Sequence, residues 1–216
     1  MTSPSPLLYD TYYHIYNRGN NRENIFIQER NYTHFLNLHF KYIEPIAETY
    51  AYCLLRNHFH MAVKTKSEEE ILAHIKTLKV SSANQNAGQQ RKPLGSETIS
   101  KQFSNFFNAY AKAINRAYGR TGSLFQHPFG RVPIASGRQF WNVIAYIHQN
   151  PQKHKFVDDF RDWKYSSYDI LISDKPTKLQ RDIVLDWFGG KQQYQDLHAE
   201  WVTEGSGKWF AEDDHE

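Results

Sequence analysis

Two histidines one residue apart, His58 and His60, and a tyrosine and an asparagine four apart, Tyr146 and Asn150, are the residues whose type and spacing could do chemistry. His58-Phe59-His60 lies in a β-forming run. Alternate side chains of a strand share a face, so both imidazoles look one way and Phe59 the other. Tyr146 and Asn150 fall one turn apart on a segment of helical periodicity, with Pro151 expected to stop the helix just beyond them. Two imidazoles, an amide oxygen and waters make a mixed nitrogen and oxygen site suited to Mg²⁺ or Mn²⁺, without the thiolates or third imidazole of a structural zinc site. A phenol ionising at about pH 10 is a weak nucleophile at neutral pH, so its attack on a phosphodiester calls for such an ion and for a group to take the proton. Each motif also has a plain reading: an incidental His-x-His, and one packed tyrosine among 14. Tyr110 and Tyr118 are rival nucleophiles, and Tyr118 could instead stack on a base.

The elements that would position these residues follow in order. Tyr12–Asn17 reads as a strand, followed by an Asn- and Gly-rich loop. Glu29–Tyr42 has helical apolar spacing ending near Pro45. Glu48–Leu55 and His58–Lys64 are strands around a two-residue break, a hairpin spacing. Ser67–Val80 opens with a capping serine and three glutamates, a helix start. Residues 82–98 have the composition of a loop insertion. Ile99–Tyr118 is a long aromatic helix, 119–130 a Gly-rich loop and 132–134 a short extended piece. Ser136 caps a helix carrying Tyr146. A further helix is expected over Gln180–Phe188. Strand, helix, hairpin, helix is the order of an α+β ferredoxin-like sandwich, an antiparallel sheet with helices on one face, here with a C-terminal extension. The expected division is a catalytic domain over 8–170 and an extension over 171–216 with an acidic end.

Composition bounds the function. From Thr98 to Val157 there is no Asp or Glu but eight Lys or Arg, so the centre of this +3 chain is a polyanion-binding candidate and the acidic C-terminal end a solvating one. Arg18, Arg22, Arg120 and Arg131 are the DNA-contact candidates, because a guanidinium fork binds phosphates bidentately, and Tyr118 joins them. A surface ion pair is the plain alternative for each arginine. A single cysteine, Cys53, excludes an intramolecular disulfide framework and a Cys-rich zinc site. The start has no signal-peptide pattern and no segment has a membrane-spanning apolar run, so a cytoplasmic location is expected.

Four blocks, YHIYNRGNNRENIF from Tyr13, NHFHMAV from Asn57, YGRTGSLFQHPFGR from Tyr118 and YIHQNPQKH from Tyr146, resemble in the same order blocks of the REP-associated tyrosine transposases. The likeness runs from about Tyr12 to Tyr168. It implies an HUH fold in which His58 and His60 bind a divalent ion, Asn150 is the third protein ligand and Tyr146 is the nucleophile. It also implies cutting of single-stranded DNA beside a hairpin, with the cut end held as a 5′-phosphotyrosine. Gln126-His127-Pro128 stands where relatives usually have Gln-Gly-Arg, a departure on the presumed DNA path. The alternative is a domesticated hairpin-binding protein without productive cleavage. Related enzymes include both dimers and monomers, and the sequence leaves the oligomeric state open.

Overall fold

Every residue of His58–Val63 is buried, on both faces of its strand, so the sheet around it must be covered on both sides. A computed structural model, describing residues 6–81 and 97–203, shows how. Its elements are β1 (Tyr12–Arg18), α1 (Glu29–Tyr42), β2 (Ala47–Leu54), β3 (His58–Thr65), α2 (Glu68–Ser81), α3 (Glu97–Tyr118), β4 (Gly130–Ile134), α4 (Gly137–Lys153), α5 (Tyr168–Ile172), α6 (Arg181–Phe188) and α7 (Lys191–Thr203). The strands form one antiparallel sheet in the order β2-β3-β1-β4. The α+β architecture and antiparallel sheet are as the sequence reading expected.

The register sorts the chain into two layers. Phe59 faces α1 and α3, where it meets Phe35 and Phe107 at ring distances of 4.9 and 5.6 Å within a core completed by Phe106 and Tyr110. Aromatic rings at these separations carry much of such a core's burial energy. β1 pairs Arg18 with His58 and Tyr16 with His60, so these four side chains share the other face, which α4 covers. The layout is thus fuller than a sandwich with helices on one face. α1 and α3 take that place, and α4 crosses the opposite side with α6 and α7 packed behind it.

Local signals explain the helices. Ser67 and Glu70 form a reciprocal cap at the start of α2. The Ser136 hydroxyl accepts the Gln139 N–H at the start of α4, as a capping serine should. Pro151 does not stop α4, which runs on to Lys153. So close to the helix end, proline forfeits one hydrogen bond and has little helix left to disrupt. The segment after Tyr168 is an integral part of the molecule: Leu171, Leu179, Val184, Phe188 and Tyr194 belong to the same buried core as the sheet. Trp163, Tyr165 and Tyr168 close that core, Trp163 donating to the Leu54 carbonyl and Tyr165 stacking on Tyr32 at 3.5 Å. The 82–96 part of the expected insertion and the acidic end beyond 203 lie outside the described residues. Among the described residues no helix is long and apolar enough to cross a membrane.

Candidate active site

β3 presents His58 and His60 side by side, their rings 5.2 Å apart and nearly perpendicular. Each ring is oriented through its Nδ1. His58 Nδ1 lies 2.7 Å from Asn57 Oδ1, an acceptor, so this nitrogen carries the proton. His60 Nδ1 lies 3.0 Å from His14 Nε2 across the β1–β3 pair. The tautomer in which His60 Nδ1 donates to His14 turns both Nε2 lone pairs into the site, an arrangement in which a neighbouring group fixes the tautomer of a ligating histidine. Neither Nε2 has a hydrogen-bond partner, although both are buried.

α4 supplies the rest. The Asn150 amide nitrogen donates 2.9 Å to the Tyr146 carbonyl one turn back, and this leaves Asn150 Oδ1 buried without a hydrogen bond. Unsatisfied buried acceptors are costly, so three in one place ask for an explanation. Two imidazole nitrogens and an amide oxygen are donor types that a divalent cation takes. Among the described residues no cluster of three or more His, Cys, Asp or Glu is placed to hold a metal, so the candidate set is this His pair with Asn150.

The Tyr146 side chain is buried, with its ring edge-on to His60 at 5.4 Å and to His14 at 5.8 Å. The structure thus gathers His58, His60, Tyr146 and Asn150 from two elements far apart in sequence. Burial pushes His58 down to about 3, with the charges of His154 and Arg18 adding to the effect and a weak side-chain hydrogen-bonding interaction with Asn150, outside ordinary hydrogen-bond geometry, opposing it. His60 is driven well down mainly by burial, and His14 to about 3 for the same reason. All three are neutral at physiological pH, the form in which imidazole is a ligand.

The rival tyrosines are employed elsewhere. Tyr110 is fully buried and donates 2.7 Å to the Ile25 carbonyl, and Tyr118 donates 3.0 Å to Asn31 at the start of α1, both on the α1–α3 side of the sheet. The DNA-contact candidates divide. Arg18 sits at the end of β1 on the site face, level with His58, and Arg22 is exposed on the turn that follows. Arg120 is ion-paired to Glu23, which joins the loop after β1 to the loop before β4. Arg131 pairs with Ile15 in register and so faces α3, where it reaches Ser100 and lies 3.8 Å over the Phe129 ring. Sequence reasoning missed His14 and His154. His154, one turn past Asn150, has its ring 4.8 Å from that of His58. The continued spacing of four from Tyr146 through Asn150 was the available signal.

An α+β sheet protein that sets a histidine pair against a helix-borne tyrosine is the class that fold and site define. The chain is 28% identical over 125 residues to a putative REP-associated tyrosine transposase of Haemophilus influenzae, a match covering 56% of this chain and 58% of that relative. The chain therefore matches somewhat more than half the length of this curated relative. It shares its fold with a solved REP-associated tyrosine transposase bound to a REP hairpin, at a TM-score of 0.56 and 16% identity, over 82% of this chain and 88% of the other. No family model matches the sequence.

Proposed function

We propose that this chain is a metal-dependent tyrosine transposase of the HUH type, which nicks single-stranded DNA beside a hairpin and rejoins it through a 5′-phosphotyrosine. The observation that carries this reading is the placement of the buried Tyr146 side chain against a histidine pair whose Nε2 atoms, with Asn150 Oδ1, are buried acceptors without partners. The similarity to a transposase solved with a REP hairpin supports hairpin DNA as the substrate.

In this reading His58, His60 and Asn150 hold Mg²⁺ or Mn²⁺. The ion, when bound, polarises the scissile phosphate and offsets its charge. Asn57 and His14 keep the two imidazoles in the ligating tautomer. The Tyr146 oxygen attacks phosphorus, the bond to the 3′ oxygen breaks, and a free 3′-OH is left. The phosphotyrosine conserves the bond energy, so a later 3′-OH reverses the step without ATP. Arg18 and Arg22 steer the strand to the site through its phosphates.

The test is cleavage of a hairpin-bearing single strand with Mn²⁺ or Mg²⁺. Tyr146→Phe should abolish cutting while binding persists, and His60→Ala should abolish metal-dependent cutting. Undiminished cleavage by the Phe variant would overturn the proposal.

A further inference from the structure

Tyr16 stands on the site face of β1, between two strands that meet it differently. On β3 its register partner is His60, and the two rings stack at 5.9 Å, 26° from parallel. Two residues back along β1, the His14 ring lies 5.0 Å away, tilted by 33°. On the edge strand β4 its partner is Gly130, where a Cβ would fall 2.1 Å from the phenol end of the ring, so a position without a side chain is what lets the ring lie there. His14 and His60 are buried, whereas Tyr16 is half-buried and keeps part of its surface in solvent. His60 therefore has the Tyr146 ring edge-on and, on its β1 side, a large aromatic ring at the solvent boundary. Two residues further along the same face, Arg18 is also half-buried, level with His58, and its charge is felt at both ligand histidines. Side chains two apart on a strand are separated by about 7 Å, a span that the base and phosphate of one nucleotide can bridge. The acid nearest in sequence, Glu23, is ion-paired to Arg120.

We infer that Tyr16 and Arg18 form a one-nucleotide subsite beside the histidine pair: the Tyr16 ring stacks on a base of the single strand flanking the scissile phosphate, and Arg18 holds that nucleotide's phosphate. This rests on the transposase reading above. Every nucleobase has a π-face, so the ring accepts any base and rewards an unpaired one, whose faces are open, over one stacked within a duplex. The guanidinium supplies the charge-assisted bonds that a phosphate takes. Held at both ends, the flanking nucleotide fixes where the next phosphate falls relative to Tyr146, which is how a binding contact becomes a rate. A purely structural role, with Tyr16 only covering His60, predicts something else: lower metal affinity and melting temperature, and the same loss of affinity for a strand with or without the base.

The experiment uses the full chain and a DNA hairpin with mixed-sequence single-stranded flanks, carrying one 2-aminopurine that is moved nucleotide by nucleotide through the flanks. Binding is followed with Mg²⁺ in Tyr146→Phe, which forms no adduct, with Tyr16 kept or changed to Phe, Leu or Met. The fluorescence of 2-aminopurine is quenched when it stacks on a ring. One flank position should be quenched with Tyr16 and with Tyr16→Phe, but not with Tyr16→Leu or Tyr16→Met, two ringless variants of which one folded chain suffices. At that position the ringless variant should bind about 5- to 150-fold more weakly, the range for one base stacked on an aromatic side chain. Replacing that base with an abasic site should erase the difference. Quenching that survives loss of the ring, or a deficit that persists on the abasic strand, would overturn the inference. Wild-type chain is tested in parallel for cutting of the same hairpins. Cutting with no Tyr16-dependent position overturns the inference and leaves the transposase reading standing. A Tyr16-dependent position without cutting by wild type does the reverse, and neither binding nor cutting overturns both.

Discussion

Replacing His198 with Ala should detach the C-terminal helix from the helix that carries Tyr146, although His198 lies far from the histidine pair in sequence. His198 and His148 are fully buried, with His148 Nδ1 2.9 Å from His198 Nε2 and His148 Nε2 2.8 Å from the Ser167 hydroxyl. Their tautomers can be assigned by asking who must donate. The Tyr194 carbonyl, 2.7 Å from His198 Nδ1, only accepts, so His198 Nδ1 carries its proton and Nε2 accepts. His148 therefore donates from Nδ1 and accepts at Nε2 from Ser167, whose oxygen in turn accepts the Tyr52 N–H at 2.8 Å. One directional chain thus runs from β2 through α4 to α7 with every member neutral, and burial holds both histidines neutral. Removing His198 leaves the His148 Nδ1–H with only the Tyr194 oxygen at 3.2 Å, and opens a cavity. An unsatisfied buried donor costs about 1–3 kcal/mol, and the cavity adds to it, for a total of roughly 2–4 kcal/mol. At about 2–4 °C per kcal/mol for a chain of this length, the melting temperature should fall by roughly 4–16 °C. Thermal unfolding of the full chain measures this, with adduct formation followed in parallel. A loss below about 1 kcal/mol would refute the chain of hydrogen bonds as drawn.

Gly130 pairs with Tyr16, and a Cβ there would fall 2.1 Å from the Tyr16 ring, which stacks beside His60. Gly130→Val should therefore lower both stability and metal affinity, measured by thermal unfolding and Mn²⁺ titration; wild-type values for both would contradict the packing. His39, buried against Thr49 on the α1 side, is lowered to about 3, and His198 to about 4. Both ionise near 6.5 when unfolded, so the unfolded chain binds more protons below that pH. Their stability is present above pH 6.5 and is lost as pH falls from 6.5 towards 3–4, at up to about 1.4 kcal/mol per unit for each. Chemical denaturation between pH 7 and 5 should show that slope, and a flat profile would count against neutral burial. Arg18→Gln should weaken hairpin binding and reduce its salt dependence by about one ion's worth, since one phosphate contact is removed. An unchanged salt slope would take Arg18 off the DNA path.

Much of the frame was legible because pattern and environment agree. Glu29–Tyr42 has helical apolar spacing and forms a helix over those residues. His58-Phe59-His60 alternates, and the faces fell as alternation requires. What pattern could not supply was the partner across the sheet. His14 reaches His60 only because Tyr16 is paired with that histidine, and a shift of one residue would turn His14 away. The face of Arg131 was hidden for the same reason: one position along β4 separates the site face from the α3 face, on which it lies. For Arg120 the plain alternative, an ion pair, is what the structure shows, but its partner was not legible because Glu23 lies in a loop 97 residues earlier, brought close by the Gly19–Phe125 bridge. The helix over Lys191–Thr203 was missed because its polar residues outnumber its apolar ones, while Tyr194 and His198, one turn apart, face inward.

Tyr146 is the proposed nucleophile, and the covalent link to DNA is its direct signature. Wild-type chain is incubated with single-stranded hairpin DNA and Mn²⁺, denatured and digested, and the peptides are mapped by mass spectrometry. The predicted result is an oligonucleotide-linked peptide with the bond at Tyr146, absent without the metal and absent in Tyr146→Phe. Hairpin binding with no adduct across varied hairpins, or an adduct on a different tyrosine, would contradict it.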